Sequence, residues 1–229
     1  MNTLILAAGR GERMRPLTLT TPKPLLCVGG QPLIVHQIHR LAESGIRDLV
    51  INTAWLGEKI EQTLGDGRQY RVAIRYSREP EPLETLGGLR HALPLLNQGD
   101  WILVVNGDIW SDFDFSRLWP LPDPQQCLAR LVLVDNPPQH PEGDFQRDSR
   151  GQVHASGPDK KTFAGISLLH RHLIEQAPAR ENRLAPVLKA AMSQGQVQGL
   201  YHPGQWQDIG TPERLEALDR QLRQGAQPS

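Results

Sequence analysis

Apolar and polar positions change period along this chain, and the changes mark out its elements. The run "TLILA" (3–7) has the length and composition of a buried strand. In "QPLIVHQIHRLAESG" (31–45), Ile34, Ile38 and Leu41 recur at i, i+4 and i+7, which predicts a helix with Gly45 as its stop. "RDLVIN" (47–52) is a β-branched run, and "LGEKIEQTLGDG" (56–67) is a short amphipathic helix ending in glycine. "YRVAIRYS" (70–77) alternates with period two, "GGLRHALPLL" (87–96) is helical in pattern, and "WILVVNGD" (101–108) is a buried strand. Strands separated by helices of this size predict right-handed βαβ units. The expected fold is α/β and Rossmann-like, a mostly parallel central sheet with helices on both faces.

The alternation weakens after Asp114. A proline-rich connection, "WPLPDPQQ" (119–126), precedes a strand, "LARLVLVD" (128–135). A loop-rich stretch (136–152) precedes another, "TFAGISLLH" (162–170). Helices are expected over Leu184–Met192 and Pro212–Arg223, and "GAQPS" (225–229) reads as a frayed tail. No repeat or long linker divides the chain. A single domain is expected, with a nucleotide-binding half (1–115) and a half serving a second ligand (116–224).

Composition narrows the function classes. With 25 basic and 25 acidic residues the formal net charge is zero, so the whole chain carries no electrostatic footprint for nucleic acid or a membrane. Any anion site must come from local clustering. Cys27 and Cys127 lie outside any metal or CxxC spacing and are expected as free thiols in a reducing compartment. No apolar run reaches the ~18 residues of a membrane span, and no leader-like segment opens the chain. A soluble cytoplasmic protein is expected.

Local clustering is found in "LILAAGRGERMRPLTLTTPKPLL" (4–26). A strand feeds into Gly9-x-Gly11, and Arg10, Arg13, Arg15 and Lys23 then stand against one acid, Glu12. A dinucleotide fingerprint would place a third glycine at Met14 and an acid about 20 residues further on. No Asp or Glu occurs from Arg13 through Ala42, so a nicotinamide-dependent dehydrogenase is excluded. Pro16, Pro22 and Pro24 keep the segment from continuing as a helix. An extended, stiffened loop is expected, presenting cations and glycine amides to a triphosphate. Asp108 closes a buried strand, at the end where open α/β sheets take ligands. In "SDFDF" (111–115), Asp112 and Asp114 read as surface acids alternating with buried Phe113 and Phe115. His36 and His39 lie at i, i+3 with no carboxylate nearby and are not read as ligands.

With "LGDG" (64–67), "VNGDIW" (105–110) and "WQDIGTPERL" (206–215) following in order, the opening segment strongly resembles the signature of the sugar-1-phosphate nucleotidylyltransferases. The resemblance covers almost the whole chain. "INTAWLGEKIEQTLGDG", "PLETLGG", "GDF" and "TFAGI" are most similar to the branch that takes UTP and N-acetylmuramate 1-phosphate in peptidoglycan recycling.

That resemblance implies a Mg2+-dependent attack of a sugar-phosphate oxygen on the α-phosphorus of UTP, releasing pyrophosphate. Such chemistry needs positioning and charge neutralisation more than covalent catalysis. Arg13 is implied at the β- and γ-phosphates and Lys23 between the α-phosphate and the sugar phosphate, the two catalytic residues. Leu6, Ala7, Ala8, Gly9, Gly11, Thr85, Gly87, Asn106 and Gly107, with Arg13, are implied at the nucleotide. Gly143, Asp144 and Gly165, with Lys23, are implied at the sugar phosphate, and Asp108 and Asp208 at the metal. Gly107 is expected to let the backbone approach the nucleotide. Asn52 is open between a ligand contact and a structural hydrogen bond, and Lys160 and Lys161 read as solvated. Close relatives carry three glycines after Glu-Thr, where this chain has Leu86, Gly87 and Gly88. Leucine resists positive φ, so a shifted base loop is expected.

Other substrates remain open with the same chemistry: glucose 1-phosphate with dTTP or UTP, or mannose 1-phosphate with GTP. Outside the enzyme class stands a non-catalytic nucleotide-sugar sensor, expected to have lost at least one of Arg13, Lys23, Asp108 or Asp208. All four are present.

Overall fold

The computed structural model describes residues 1–225, so the expected tail lies outside the described residues apart from Gly225, the last residue of a helix. The chain forms β1 (Asn2–Leu6), α1 (Leu33–Glu43), β2 (Asp48–Thr53), α2 (Gly57–Leu64), β3 (Ala73–Arg78), α3 (Glu84–Ala92), β4 (Trp101–Asn106) and β5 (Ile109–Ser111). Then follow β6 (Ala129–Val134), β7 (Thr162–His170), α4 (Arg171–Glu175), α5 (Leu184–Ser193), β8 (Val197–Tyr201), β9 (Trp206–Asp208) and α6 (Pro212–Gly225). Short turns and two-residue ladders complete it.

Seven strands form one sheet in the order β8-β6-β7-β4-β1-β2-β3. All neighbours are parallel except β7, which runs antiparallel to both β4 and β6. Alternate residues of each strand enter different cores. Ile5 of β1 packs with Ile34, Ile38 and Leu41 of α1 and Ile60 of α2, while Leu4 packs with Leu86 and Leu89 of α3 and Leu188 of α5. Burial on both faces is why these strands read as continuous apolar runs.

α1 stops where expected. Gly45 takes φ +80°, its N–H donates to the Ala42 carbonyl at 3.0 Å, and the Ile46 N–H donates to Leu41 at 2.9 Å. That paired pattern caps the helix in a left-handed turn that glycine adopts without strain. β3 begins at Ala73 instead of Tyr70, because Arg68–Tyr70 make a 3-10 turn and Arg71 sits at φ +60°. The pattern of "VQGLY" did not announce β8, whose Gln198 and Gly199 dilute its apolar character.

The consequence for function is topological. The order β3-β2-β1 proceeds to one side of β1 and the chain then returns to place β4 on the other. The crevice above the carboxyl ends of β1 and β4 is the ligand position of an open α/β sheet. Cys27 is exposed and Cys127 buried, and both are free thiols. Among the described residues no helix is long and apolar enough to cross a membrane.

Candidate active site

Register brings Leu6 of β1 level with Asn52 of β2 and Asn106 of β4. As the chain leaves β1, the Ala7 N–H donates to Asn52 Oδ1 at 2.6 Å, and Asn52 Nδ2 donates to Glu79 Oε1 at 2.6 Å. Glu79 Oε2 accepts from the Leu83 N–H at 3.0 Å. Asn52 and Glu79 are buried, so this network ties the floor of the crevice to the loop before α3. On the other side of β1, the Gly107 N–H donates to the Leu6 carbonyl at 2.8 Å, and a Cβ at 107 would stand 2.6 Å from that oxygen. Glycine is needed here for the close approach of the chain to β1 as it leaves β4, and Gly107 also borders the crevice.

The opening loop is not extended as expected. It folds into three 3-10 turns, Glu12–Met14, Leu17–Leu19 and Lys23–Leu25. Met14, standing where a dinucleotide loop would have glycine, is a core residue packed with Leu26, Val28, Trp110 and Leu218. Gly11 takes φ +63°, and a Cβ there would meet Thr18 Cγ2 at 2.9 Å and Lys23 Cβ at 3.2 Å. Thr18 Oγ1 donates to the Gly11 carbonyl at 2.8 Å, while Trp55 Nε1 donates to the Thr18 carbonyl at 3.1 Å. Lys59 Nζ donates to Thr20 at 2.6 Å. Pinned in this way, the loop buries Lys23 and sets its Nζ 2.6 Å from Asp108 Oδ2. Arg13 stays exposed, with no ion pair among the described residues. Arg10 lies 5.9 Å above the Trp55 ring.

Every residue expected at the nucleotide except Gly87 lines a cleft of about 520 Å³. Gly87 is buried in α3, and its N–H donates to the Asn182 carbonyl at 3.2 Å. Leu86 is fully buried in the same helix and needs no positive φ, which falls on Glu84 at +61°. The departure from three glycines is thus absorbed as core packing. The PLETLGG turn contributes Leu83 and Glu84 to the cleft wall, and pattern reading missed Glu79 beside them, because a charge in a loop gives no sequence signal of its burial.

A second cavity of about 410 Å³ adjoins the first and shares Arg13, Asn106 and Asp108 with it. Asp144 lies here, its Oδ2 accepting from the Phe163 N–H at 2.8 Å and its Oδ1 3.1 Å from His140 Nε2. Gly165 lines it at φ +73°, in the irregular stretch of β7, where a Cβ would meet Asn106 Nδ2 at 2.8 Å. Gly143 does not line it. Gly143 turns the chain at φ +60° against Asn136 Oδ1 and the Lys160 carbonyl. Lys160 Nζ caps the Gly143 carbonyl at 3.1 Å and Lys161 pairs with Asp135 at 2.7 Å, so neither reaches the cavity.

Asp208 arrives from the far end of the chain. β9 pairs antiparallel with β5, and the Ile209 N–H donates to the Asp108 carbonyl at 2.9 Å, which brings the two aspartates to one mouth. Asp208 Oδ1 accepts from Gln139 Nε2 at 2.8 Å and from Arg214. Both carboxylates are therefore compensated by cations, Lys23 and Arg214. Together they offer hard oxygen donors that suit a cation such as Mg2+. Among the described residues no group of three or more His, Cys, Asp or Glu could hold a metal, so a substrate's oxygens and water must complete any such shell. Gln139, His140 and Arg214 were missed, since only the fold brings the loop before Asp144 and the start of α6 together at one cavity. Phe113 and Phe115 are buried as expected. Asp112 lies 2.7 Å from His202 Nε2, and Asp114 accepts from the Ser116 N–H. His36 bridges Gln31 and the Val28 carbonyl, its pKa lowered by burial.

A family model for nucleotidyl transferases matches residues 2–154. The chain is 48% identical over 222 residues to N-acetylmuramate alpha-1-phosphate uridylyltransferase of Neisseria meningitidis serogroup B, covering 94% of this chain and 96% of that one. A mannose-1-phosphate guanylyltransferase of Mycobacterium tuberculosis is 30% identical across 100% of this chain, which spans 66% of its length. Among solved structures, a Bacillus anthracis protein provisionally assigned as a glucose-1-phosphate thymidylyltransferase matches with a TM-score of 0.84 at 21% identity, covering 100% of this chain and 98% of that one. HddC of Yersinia pseudotuberculosis, complexed with GMP-PN, matches with a TM-score of 0.77 at 18% identity, covering 96% and 99%. At these identities the structural likenesses carry the fold, and they agree with the α/β expectation.

Proposed function

This chain belongs to the nucleotidyl transferase family and its chemistry is nucleotidyl transfer to a sugar 1-phosphate; from that premise we propose that UTP and N-acetylmuramate 1-phosphate are its substrates. The products are UDP-N-acetylmuramate and pyrophosphate, made in the cytoplasm during peptidoglycan recycling. The observation that carries the reading is the junction of the two cavities at Arg13, Asn106 and Asp108, with Lys23 held against Asp108. A nucleotide in the first and a sugar phosphate in the second would bring two mutually repelling phosphates to that point.

In this reading an oxygen of the sugar phosphate bonds to the α-phosphorus of UTP as the bond to the β-phosphate oxygen breaks. Lys23 neutralises the two phosphates that must meet; its ammonium is a compact charge with three donors. Arg13, exposed and uncommitted to any acid, takes the β- and γ-phosphates and steadies the departing pyrophosphate. The Gly9–Gly11 backbone lies along the phosphates: a Cβ at Gly9 meets nothing within 4 Å, which leaves that wall open to a ligand. Asp108 and Asp208 would hold Mg2+, which supplies charge neutralisation and orients the phosphates. Asp144 and Gly165 line the sugar side.

The 48% identical relative supports uracil and N-acetylmuramate, and the guanylyltransferase at lower identity supports the alternative of GTP and mannose 1-phosphate. Pyrophosphate release with Mg2+ separates them. UTP, dTTP, GTP, CTP and ATP are crossed with the 1-phosphates of N-acetylmuramate, N-acetylglucosamine, glucose and mannose. Release confined to UTP with N-acetylmuramate 1-phosphate is expected. Another productive pair would overturn the substrates, and none at all from folded protein that binds nucleotide would favour a sensor.

A further inference from the structure

N-acetylmuramate 1-phosphate differs from N-acetylglucosamine 1-phosphate by one group, an ether-linked lactyl carboxylate on C3. A cation with free donors on the sugar side would favour it by charge and by paired hydrogen bonds. Three side chains of the second cavity can carry positive charge: Arg13, His140 and Arg214. Arg13 also borders the nucleotide cleft, where phosphates claim it. His140 lies against Asp144 at 3.1 Å, so a carboxylate arriving there would meet another carboxylate.

Arg214 is arranged differently. Its Nη1 donates to Asp208 Oδ1 and, at 3.3 Å, to the Asp208 carbonyl. Among the described residues neither Nε nor Nη2 has an acceptor. The guanidinium therefore presents one whole edge, Nε with Nη2, unused. That edge matches a carboxylate through two parallel hydrogen bonds. Arginine can hold a carboxylate on each of two edges, which a lysine ammonium cannot do with the same fixed geometry. A Cβ at Gly210 would stand 2.7 Å from Nη2 and 3.2 Å from Cζ, so glycine there leaves the guanidinium room to lie where it does. Its side chain is 24% exposed, held in place and partly shielded from water. With the sugar's phosphate at the Arg13–Asp108 junction, Asp208 and Arg214 border the part of the cavity left for the ring and its substituents.

We propose that Arg214 is the specificity-determining residue for an anionic hexose 1-phosphate, its Nε–Nη2 edge receiving the lactyl carboxylate. The assignment rests on the substrate reading above. It is tested in the full chain with Arg214→Gln, Arg214→Lys and Gly210→Ala. Each is assayed with UTP and Mg2+ for kcat/KM on N-acetylmuramate 1-phosphate and on N-acetylglucosamine 1-phosphate, and checked for folding by thermal melting. The quantity read is the ratio of the two specificity constants. Arg214→Gln is expected to lower that ratio on the order of 10- to 100-fold, mainly through KM for the anionic sugar.

Arg214→Lys should keep part of the preference, having charge without the fork, and Gly210→Ala should lower the ratio by crowding the guanidinium. Should Arg214→Gln fail to fold, these two variants carry the test. Calorimetric binding of UDP-N-acetylmuramate against UDP-N-acetylglucosamine in EDTA should show the same loss without turnover. If both specificity constants fall together and the ratio holds, Arg214 serves only to support Asp208 and the proposal is overturned. A wild type that does not prefer the anionic sugar overturns the substrate reading as well, and the wild-type ratio alone tells this failure from the first.

Discussion

Replacing Lys23 with methionine separates its structural from its chemical work. In the fold its Nζ stands 2.6 Å from Asp108 Oδ2, with the lysine side chain 10% and the aspartate side chain 41% exposed. Because water reaches Asp108, the carboxylate stays solvated when its partner is lost. The pair is then worth little more than a surface ion pair, about 0.5–1 kcal/mol. Methionine fills the space of the lysine stem beneath Gly11. For a chain of this size, a loss of about 1 kcal/mol lowers Tm by about 2–4 °C. The cost to the reaction is much larger. Removing one preorganised donor that stabilises developing charge typically costs about 10²–10³ in kcat, or about 3–4 kcal/mol. The assay pairs a thermal melt with steady-state pyrophosphate release. Turnover within about threefold of wild type, less than 1 kcal/mol of barrier, would refute the assignment of Lys23 to the phosphates. A Tm loss above about 10 °C would mark it chiefly as a structural counter-ion.

Other perturbations read other parts of the site. Asp108→Asn should raise the Mg2+ concentration needed for half-maximal activity by about tenfold or more, and an unchanged Mg2+ titration would remove Asp108 from the metal. Asn52→Leu leaves the Ala7 N–H and a Glu79 oxygen without partners in a buried place, at a cost of about 2–5 kcal/mol. Thermal melting should show a fall of roughly 5–15 °C, and a shift near zero would mean that water replaces the network. Leu86→Gly opens a cavity in the core and places glycine in a helix, costing about 3–6 kcal/mol together. A lower urea midpoint is expected; unchanged stability with a raised KM for UTP would return Leu86 to the nucleotide.

Much of this molecule was legible before its structure. The parallel strands announced themselves because both their faces are buried, as in Trp101–Asn106, and the helices because one stripe is apolar, as in Leu33–Glu43. Gly11 and Lys23 stood out by residue type and spacing within a single loop. Gly87, Gly143 and Leu86 misled because a motif names residue types without saying which way each faces. Gly87 is spent on a contact with Asn182, Gly143 on a turn against Lys160, and Leu86 on the core.

The sequence by itself determined the fold class, the opening loop with its cations, and the two aspartates of its later motifs. These depend on periodicity and on neighbours a few positions apart, and such patterns are written locally. Only the tertiary structure decided that Asn52 and Glu79 brace the floor of the cleft, that Met14 is core, and that Arg214 meets Asp208 with one edge to spare. It also decided that Asp108 and Asp208, far apart in sequence, share a mouth. The bracing by Asn52 and the meeting of the two aspartates follow from strand register and from pairings such as β5 with β9. Register is a property of packed elements and the hydrogen bonds between them, and no local run of residues carries it.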